Sequence, residues 1–315
     1  MKRPIVINQS SWKDYMACRR LWYWKRLQNL ETPGRRSALE IGTATHRALA
    51  IIDAGGGLDA GLAAAHAYLT ESAGPLATFA DKDLAEAFEI VDRILPAYVE
   101  HWGGQGEMWT PLSQEIEFCV EVGDGTQNYL RGKADNLSTY KGGLYIVDKK
   151  TAGRMDPRDL LKYEMDCQLT AYIYGLSKHL TEESLARGGE PVFIRGAIID
   201  VLVKTKIPQF AREFYTRTVD ELVEFEKEFN FYADEIRAAE DRVAAGEDGK
   251  TVFPKNTSQC FQYGTCPYRD VCLKDTPVRR ALYVKRSPDY VDEAQTSLQT
   301  AFLAGTIQDP GPVTV

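Results

Sequence analysis

NYLRGKADNLSTYKGGLYIVDKKT, residues 128–151, is the stretch on which the fold turns. Lys141-Gly142 between two alternating runs is a tight-hairpin signal. With these two residues as the loop, Tyr140 faces Gly143, and counting back sets Asp135 opposite Asp148. Side chains alternate along a strand, so Asp148 and Lys150 share a face. Directly opposed Cβ atoms lie about 4.5–5.5 Å apart, which brings two carboxylates and a lysine to one spot. Two adjacent acids beside Leu144, Ile146 and Val147 repel each other and lose hydration, and a divalent cation relieves both costs. Such an ion polarises a phosphoryl oxygen and acidifies bound water, while Lys150 can position that water or stabilise charge on phosphorus. Taken alone, Asp…Asp-x-Lys is a common pattern that ordinary solvated hairpin charges also satisfy.

Outward from the hairpin, alternation predicts strands at 114–122, 128–139, 144–150, 192–203 and 208–217. The first sets Ile116, Phe118, Val120 and Val122 on one face. If Val122 pairs with Asn128, Glu115 also falls opposite Asp135, with Glu117 equally placed on the same face. Helical patterns cover 11–27, 37–53, 58–71, 81–102 (bent near Pro96), 157–180 and 219–245. Ser10-Ser11 with Asp14 marks the first start, and Ser37 with Glu40 forms a capping box after a Pro33-Gly34 break. The 157–180 stripe is Leu161, Met165, Leu169, Ile173, Leu176 and Leu180. Gly42 and His46 share one helix face, as do Gln168 and Tyr172. A bare Gly42 admits a strand or substrate while His46 reaches a metal, although a lone helical histidine is more often a packed one. Residues 304–315 read as a loose tail.

The 315 residues are 44% hydrophobic and 26% charged, an ordinary globular composition. No run approaches the roughly 20 apolar residues of a membrane span, and the chain reads as a soluble, cytoplasmic protein with no membrane partner. The net charge of −7 argues against a polyanion coat but not against local basic patches. Arg19, Arg20, Lys25 and Arg26 form one such cluster, Arg35, Arg36 and Arg47 another, and Arg279, Arg280, Lys285 and Arg286 a third. Of six cysteines, Cys260, Cys266 and Cys272 crowd into thirteen residues. Without a secretory signal a disulfide framework is a poor reading. Three thiols need a fourth ligand, and Cys18 in the basic, aromatic opening helix is the obvious donor. The spacing alone fits zinc or iron–sulfur. Cys119 and Cys167 read as buried free thiols.

In this order, Gly42-x-x-x-His46, Gly132-Lys133-Ala134-Asp135, Val147-Asp148-Lys149-Lys150-Thr151 and Gln168-x-x-x-Tyr172 resemble the RecB-like branch of the PD-(D/E)XK nucleases. The opening Ser10-Ser11, Cys18-Arg19-Arg20, Tyr23 and Leu39-Glu40-Ile41-Gly42 fit the same family. The resemblance covers roughly residues 8–175 plus the late cysteines. It implies an α/β fold with a restriction-endonuclease-like core, a mixed central sheet flanked by helices, and a helical insertion. Residues 1–275 would form a single nuclease domain with its core at 37–217, and 276–315 a partly loose extension. His46, Asp135, Asp148 and, more weakly, Glu115 would hold Mg²⁺ or Mn²⁺. Lys150 would be the catalytic lysine, with Gln168 and Tyr172 contacting DNA or bracing the site.

Iron–sulfur members of that branch, including CRISPR-associated and AddB-type exonucleases, carry one early and three late cysteines. By that likeness Cys18, Cys260, Cys266 and Cys272 would bind a 4Fe–4S cluster, with zinc the alternative, stapling 10–30 to 255–275. Position 263 is Tyr where many members close a C-x-x-C pair. The expected function is a metal-dependent DNA exonuclease or end-processing nuclease. Its alternatives are a non-catalytic nucleic-acid-binding module and an iron–sulfur redox protein. The latter leaves the four motifs unexplained. No G-x-x-x-x-G-K-S/T loop is present, so any motor would come from a helicase, recombination or CRISPR partner. The oligomeric state is left open.

Overall fold

In the computed structural model of this chain, residues 2–32, 37–72, 81–103, 109–262 and 264–285 are described. The expectations for Pro33-Gly34, Arg35, Arg36, Tyr263, Arg286 and the 304–315 tail lie outside them.

Strand β1 (Ile5–Asn8) leads into α1 (Gln9–Ala17). The cap is Asn8, not Ser10: its Oδ1 accepts from the Ser11 amide at 2.8 Å, and Ser11 Oγ accepts from the Asn8 amide at 3.2 Å. The helix expected over 11–27 breaks at Cys18, which is extended (φ −161°, ψ 114°). It resumes as α2 (Arg19–Trp22) and a π turn at Tyr23–Leu27, before the short β2 (Leu30–Glu31). Helices α3 (Ser37–Asp53), α4 (Gly57–Ser72) and α5 (Asp81–Gly103) follow as read, the last continuing through Pro96. Then come β3 (Thr110–Glu121), β4 (Asn128–Tyr140) and β5 (Gly143–Ala152). The helix expected over 157–180 is instead α6 (Pro157–Leu161), a 3₁₀ turn at Lys162–Met165, and α7 (Cys167–Ala186). Asp166 restarts it, its Oδ1 accepting from the Gln168 amide at 2.6 Å. Leu161 and Met165 therefore leave the apolar stripe and are 57% and 91% exposed, while Leu169, Ile173 and Leu176 remain buried. Strands β6 (Ile194–Val203) and β7 (Gln209–Tyr215), helix α8 (Val219–Ala244), the short helices α9 (Gly249–Val252), α10 (Arg269–Leu273) and α11 (Pro277–Arg280), a 3₁₀ turn at Thr257–Cys260 and β8 (Val284–Lys285) complete the order.

The described chain divides into two compact units, one of 34–118 with 132–222 and one built from 1–33, 119–131 and the chain from 223 onward. In the first, β4 runs antiparallel to β5 with Tyr140 opposite Gly143 and Asn136 opposite Val147, as the hairpin reading requires. Lys141 and Gly142 have φ of 45° and 72°, the doubly positive pattern that matches strand twist. β5 pairs parallel with β6, β6 antiparallel with β7, and β3 lies beside β4, making a mixed sheet. β6 is buried at all but one residue, as a strand covered on both faces should be. Leu202 of β6 joins the apolar cluster of α3, α4 and α5. Phe118 is wedged between Gly132 and Gly175, where a Cβ on either glycine would overlap its ring.

In the second unit, β1 runs parallel to the first residues of β4, from Ile5 opposite Asn128 to Asn8 opposite Arg131. Trp12 is 1% exposed and meets Phe225 and Phe229 edge-on at 5.5 and 5.7 Å. The opening and closing segments are laced by hydrogen bonds: Arg20 Nε to the Phe253 carbonyl at 2.7 Å, Tyr268 hydroxyl to the Leu30 carbonyl at 2.7 Å, and the β2–β8 pair. Arg237 of α8, 6% exposed, donates through Nε to the Arg3 carbonyl at 2.6 Å and also reaches the Gln127 carbonyl, Asn128 Oδ1 and Asp234. No described helix is long and apolar enough to cross a membrane.

Candidate active site

The β4–β5 ladder closes at Asn136 opposite Val147, so Asp135 and Asp148 stand at its end, while β5 continues beside β6 as far as Ala152 opposite Val203. The pairing read from the hairpin thus sets the two acids side by side at a fork. Lys150 Nζ lies 2.7 Å from Asp148 Oδ2, and His46 Nδ1 lies 3.2 Å from Asp135 Oδ2. The Lys149 amide donates to the Asp135 carboxylate. Gly42, one helical turn before His46, sits against β5: a Cβ there would be 3.3 Å from Thr151 Oγ1. It is therefore the strand that Gly42 admits.

Burial decides the electrostatics. Asp148 is 2% exposed, so it is not the solvated hairpin charge of the alternative reading. Burial pushes the Asp148 carboxyl above the ordinary range, opposed by Lys150 and reinforced by Asp135. Burial acts the same way on Asp135, but His46, Lys150 and the Lys149 amide outweigh it and leave that carboxyl low. On Lys150 burial pulls downward, yet Asp148 and Asp135 push its pKa up to about 12. One acid held low beside one held high is how adjacent carboxylates divide their repulsion.

Gln168 Nε2 donates to the Tyr172 hydroxyl at 3.1 Å, and Tyr172 stacks edge-on against Phe118 at 6.1 Å. Burial raises the Tyr172 hydroxyl, Gln168 lowers it, and the charges of Asp148, Lys150 and Asp135 all reach it. These two residues therefore belong to the same neighbourhood as the acids. Glu115 makes its ion pair elsewhere. It adopts φ of 50°, is 69% exposed at its side chain, and pairs with Lys133 at 3.2 Å.

A divalent ion fits this site on one observation. Asp135 Oδ2 and Asp148 Oδ2 are buried oxygens that accept no hydrogen bond of good geometry, although His46 Nδ1 and Lys150 Nζ lie 3.2 and 2.7 Å from them. Among the described residues, no group of three or more His, Cys, Asp or Glu side chains is gathered as a ready metal cage. Two carboxylates with the remaining positions left to water and phosphate suit Mg²⁺ better than a protein-only cage does.

None of the six cysteines is joined in a disulfide. Cys119 and Cys167 are half-buried, not buried as expected. Burial raises the Cys266 and Cys272 thiols; Cys18 and Cys260 raise both further, and Cys272 also acts on Cys266. The charges of these four thiols thus reach one another, although among the described residues they are not gathered as a metal cage. Cys18 Sγ accepts from the Asn256 amide at 3.2 Å.

The opening basic cluster is not a free patch. Arg19 pairs with Glu235 at 2.6 Å, Lys25 and Arg26 pair with Asp14 at 2.8 and 3.0 Å, and Arg20 is buried on backbone carbonyls. Arg280 likewise pairs with Asp275 at 2.5 Å, and Arg47 stacks over Tyr68 at 4.3 Å. Sequence reading sees clustered charge but not which acids, near or distant in the chain, the fold sets against it.

Sequence reasoning also passed over Lys149, Asp53, Asp200 and Arg212, which form a buried charge network behind the site. A signal was present. Asp200 is the lone charge in Ala197-Ile198-Ile199-Asp200-Val201-Leu202-Val203, and a charge inside an apolar strand demands a partner.

A family model described as the PD-(D/E)XK nuclease superfamily matches residues 6–273. Among solved structures, an exonuclease candidate from Eubacterium rectale is 16% identical with a TM-score of 0.47, over 93% of this chain and 92% of that one. A second, SSO0001, is 14% identical with a TM-score of 0.32, over 79% and 88%. No curated protein matches.

Proposed function

This chain belongs to the PD-(D/E)XK nuclease superfamily, and from that premise we propose that it hydrolyses DNA phosphodiesters at the His46, Asp135, Asp148 and Lys150 site. The observation that carries the reading is the pair of buried carboxylate oxygens on Asp135 and Asp148, neither accepting a hydrogen bond of good geometry, beside the Lys150 ammonium. Asp135 and Asp148, with His46, would hold Mg²⁺ or Mn²⁺; when bound, the ion polarises the phosphoryl group and acidifies water. Lys150 stays protonated across the physiological range, so it acts as a donor: it orients the attacking water and stabilises charge building on the phosphoryl oxygens. Tyr172, braced by Gln168, offers a neutral hydroxyl at the same wall. Likeness to the RecB-like branch extends the reading to digestion from DNA ends. End-labelled linear DNA should be degraded in Mg²⁺ while closed circles survive; loss of both or of neither refutes the end-directed reading, and an inert protein refutes the nuclease reading.

Ion binding should also show without turnover. Mn²⁺ at about a hundred times its Kd should add about 2.7 kcal/mol to stability, because it binds the folded state and relieves acid–acid repulsion. Thermal melts should show that shift for the wild type and not for Asp148→Asn. An equal shift in the variant would remove Asp148 from the ligand set.

We further propose that Cys18, Cys260, Cys266 and Cys272 hold an iron–sulfur cluster. The support is the electrostatic reach among the four thiols, which a metal would relieve, together with the one-early, three-late arrangement. Anaerobically purified protein should carry about four irons per chain if the cubane type holds. Elemental analysis giving one zinc and no iron would refute the cluster, and iron retained by Cys18→Ser would remove Cys18.

A further inference from the structure

Lys149 lies between the two residues of the Asp148-x-Lys150 motif, and its side chain points the other way. Its ammonium is buried, 6% exposed, and meets Asp53 Oδ2 at 2.5 Å; the Asp53 side chain is 10% exposed. Asp53 is the last residue of α3, the helix that carries His46 two turns earlier. An acid at a helix C-terminus opposes the helix dipole, so Asp53 is poorly placed for helix stability and well placed for Lys149. Across the sheet, Lys149 stands opposite Asp200, and Asp200 opposite Arg212. Asp200 is fully buried, accepts from the Tyr98 hydroxyl at 2.5 Å and pairs with Arg212 Nε at 3.3 Å. Arg212 is clamped between the rings of Trp102 and Trp109 at 3.8 and 4.2 Å.

Four charges in so dry a place are an expensive way to hold a sheet. Well-packed apolar side chains of similar volume would do it as well or better. What the charges supply is direction, since an ion pair fixes where a long side chain points. The Lys149 backbone gives that direction a use. Its amide donates to Asp135, and its two chain neighbours are Asp148 and Lys150.

We propose that Lys149 is a positioning residue: anchored by Asp53 and faced by the Asp200–Arg212 pair, it sets the peptide that aligns Asp135, Asp148 and Lys150. One side chain thereby ties the His46 helix and the catalytic strand to a common reference. A misplacement of about 1 Å at such a site costs on the order of 10²-fold in rate. The proposal rests on the nuclease reading above.

The test is the neutral double variant Lys149→Met/Asp53→Asn, which removes the pair without stranding either charge, with Lys149→Arg as the conservative comparison. The double variant should melt as a folded protein, with kcat down about 10- to 100-fold and KM for DNA within about twofold of wild type. Lys149→Arg should recover most of the lost kcat. Amide hydrogen exchange at Asp148, Lys149 and Lys150 should quicken in the double variant, with that of Val201 and Leu202 unchanged. A folded double variant with wild-type kcat overturns the proposal, and so does a loss of kcat that Lys149→Arg fails to recover. If the wild type itself does not cleave, the nuclease reading falls and takes this proposal with it; an active wild type with an equally active double variant sinks the positioning role alone.

Discussion

Lys150→Ala is expected to cut DNA cleavage about 10²–10³-fold, the usual cost of losing one donor that stabilises transition-state charge. The loss should appear in kcat and kcat/KM together, because the ammonium acts on charge that develops during reaction. Some stability goes with it. Removing the ammonium leaves Asp148, 2% exposed, without the cation at 2.7 Å. Its carboxyl is already raised by burial, and without Lys150 it rises further. A carboxyl higher in the folded than in the unfolded state binds more protons when folded. The variant should therefore gain stability as pH falls toward the unfolded carboxyl value and lose it as pH rises. Melting curves at several pH values check that sign, and cleavage at a pH where the variant is fully folded separates chemistry from unfolding. Near wild-type cleavage there would refute the assignment of Lys150.

The second large effect belongs to stability. Arg237→Ala should cost about 3–5 kcal/mol, the range for breaking a buried charged network by removing one partner. The Arg3 and Gln127 carbonyls and Asn128 Oδ1 would lose their donor together. These groups fasten β1 to the first residues of β4, so the damage should be local at first. Urea unfolding should give the magnitude, and limited proteolysis should cut earliest near residues 3–8 or 127–128. A midpoint within experimental error of wild type would mean that water replaces the guanidinium without penalty.

The fold was legible where local rules act alone. The hairpin register followed from a two-residue turn, because Lys141-Gly142 leaves one way to pair Tyr140 with Gly143 and hence one way to oppose the acids. Long helices such as α4 and α8 followed from periodicity. Failures came where a cap or a distant partner intervened. Asp166 restarts a helix that periodicity ran straight through, and β1 is four residues long, too short to alternate visibly. In the candidate site, the hairpin register set Asp135, Asp148 and Lys150 together, and the family resemblance added Gln168 and Tyr172. Neither revealed that Asp148 is buried, that Glu115 turns to Lys133, or that Lys149 faces Asp53. Those depend on which side chains meet from far along the chain, and one sequence does not contain that.

The order in which the two units draw on the chain bears on how the protein is made. Residues 1–33 belong with 119–131 and the chain beyond 223, so neither unit is one continuous stretch. At about 10 residues per second on a ribosome, the opening segment waits roughly 20 s for the helix it packs against. During that interval Trp12, whose partners Phe225 and Phe229 have yet to be synthesised, has its apolar surface uncovered. Newly made chains should therefore depend on chaperones until α8 emerges, and a protein truncated before residue 223 should aggregate instead of yielding a soluble catalytic fragment.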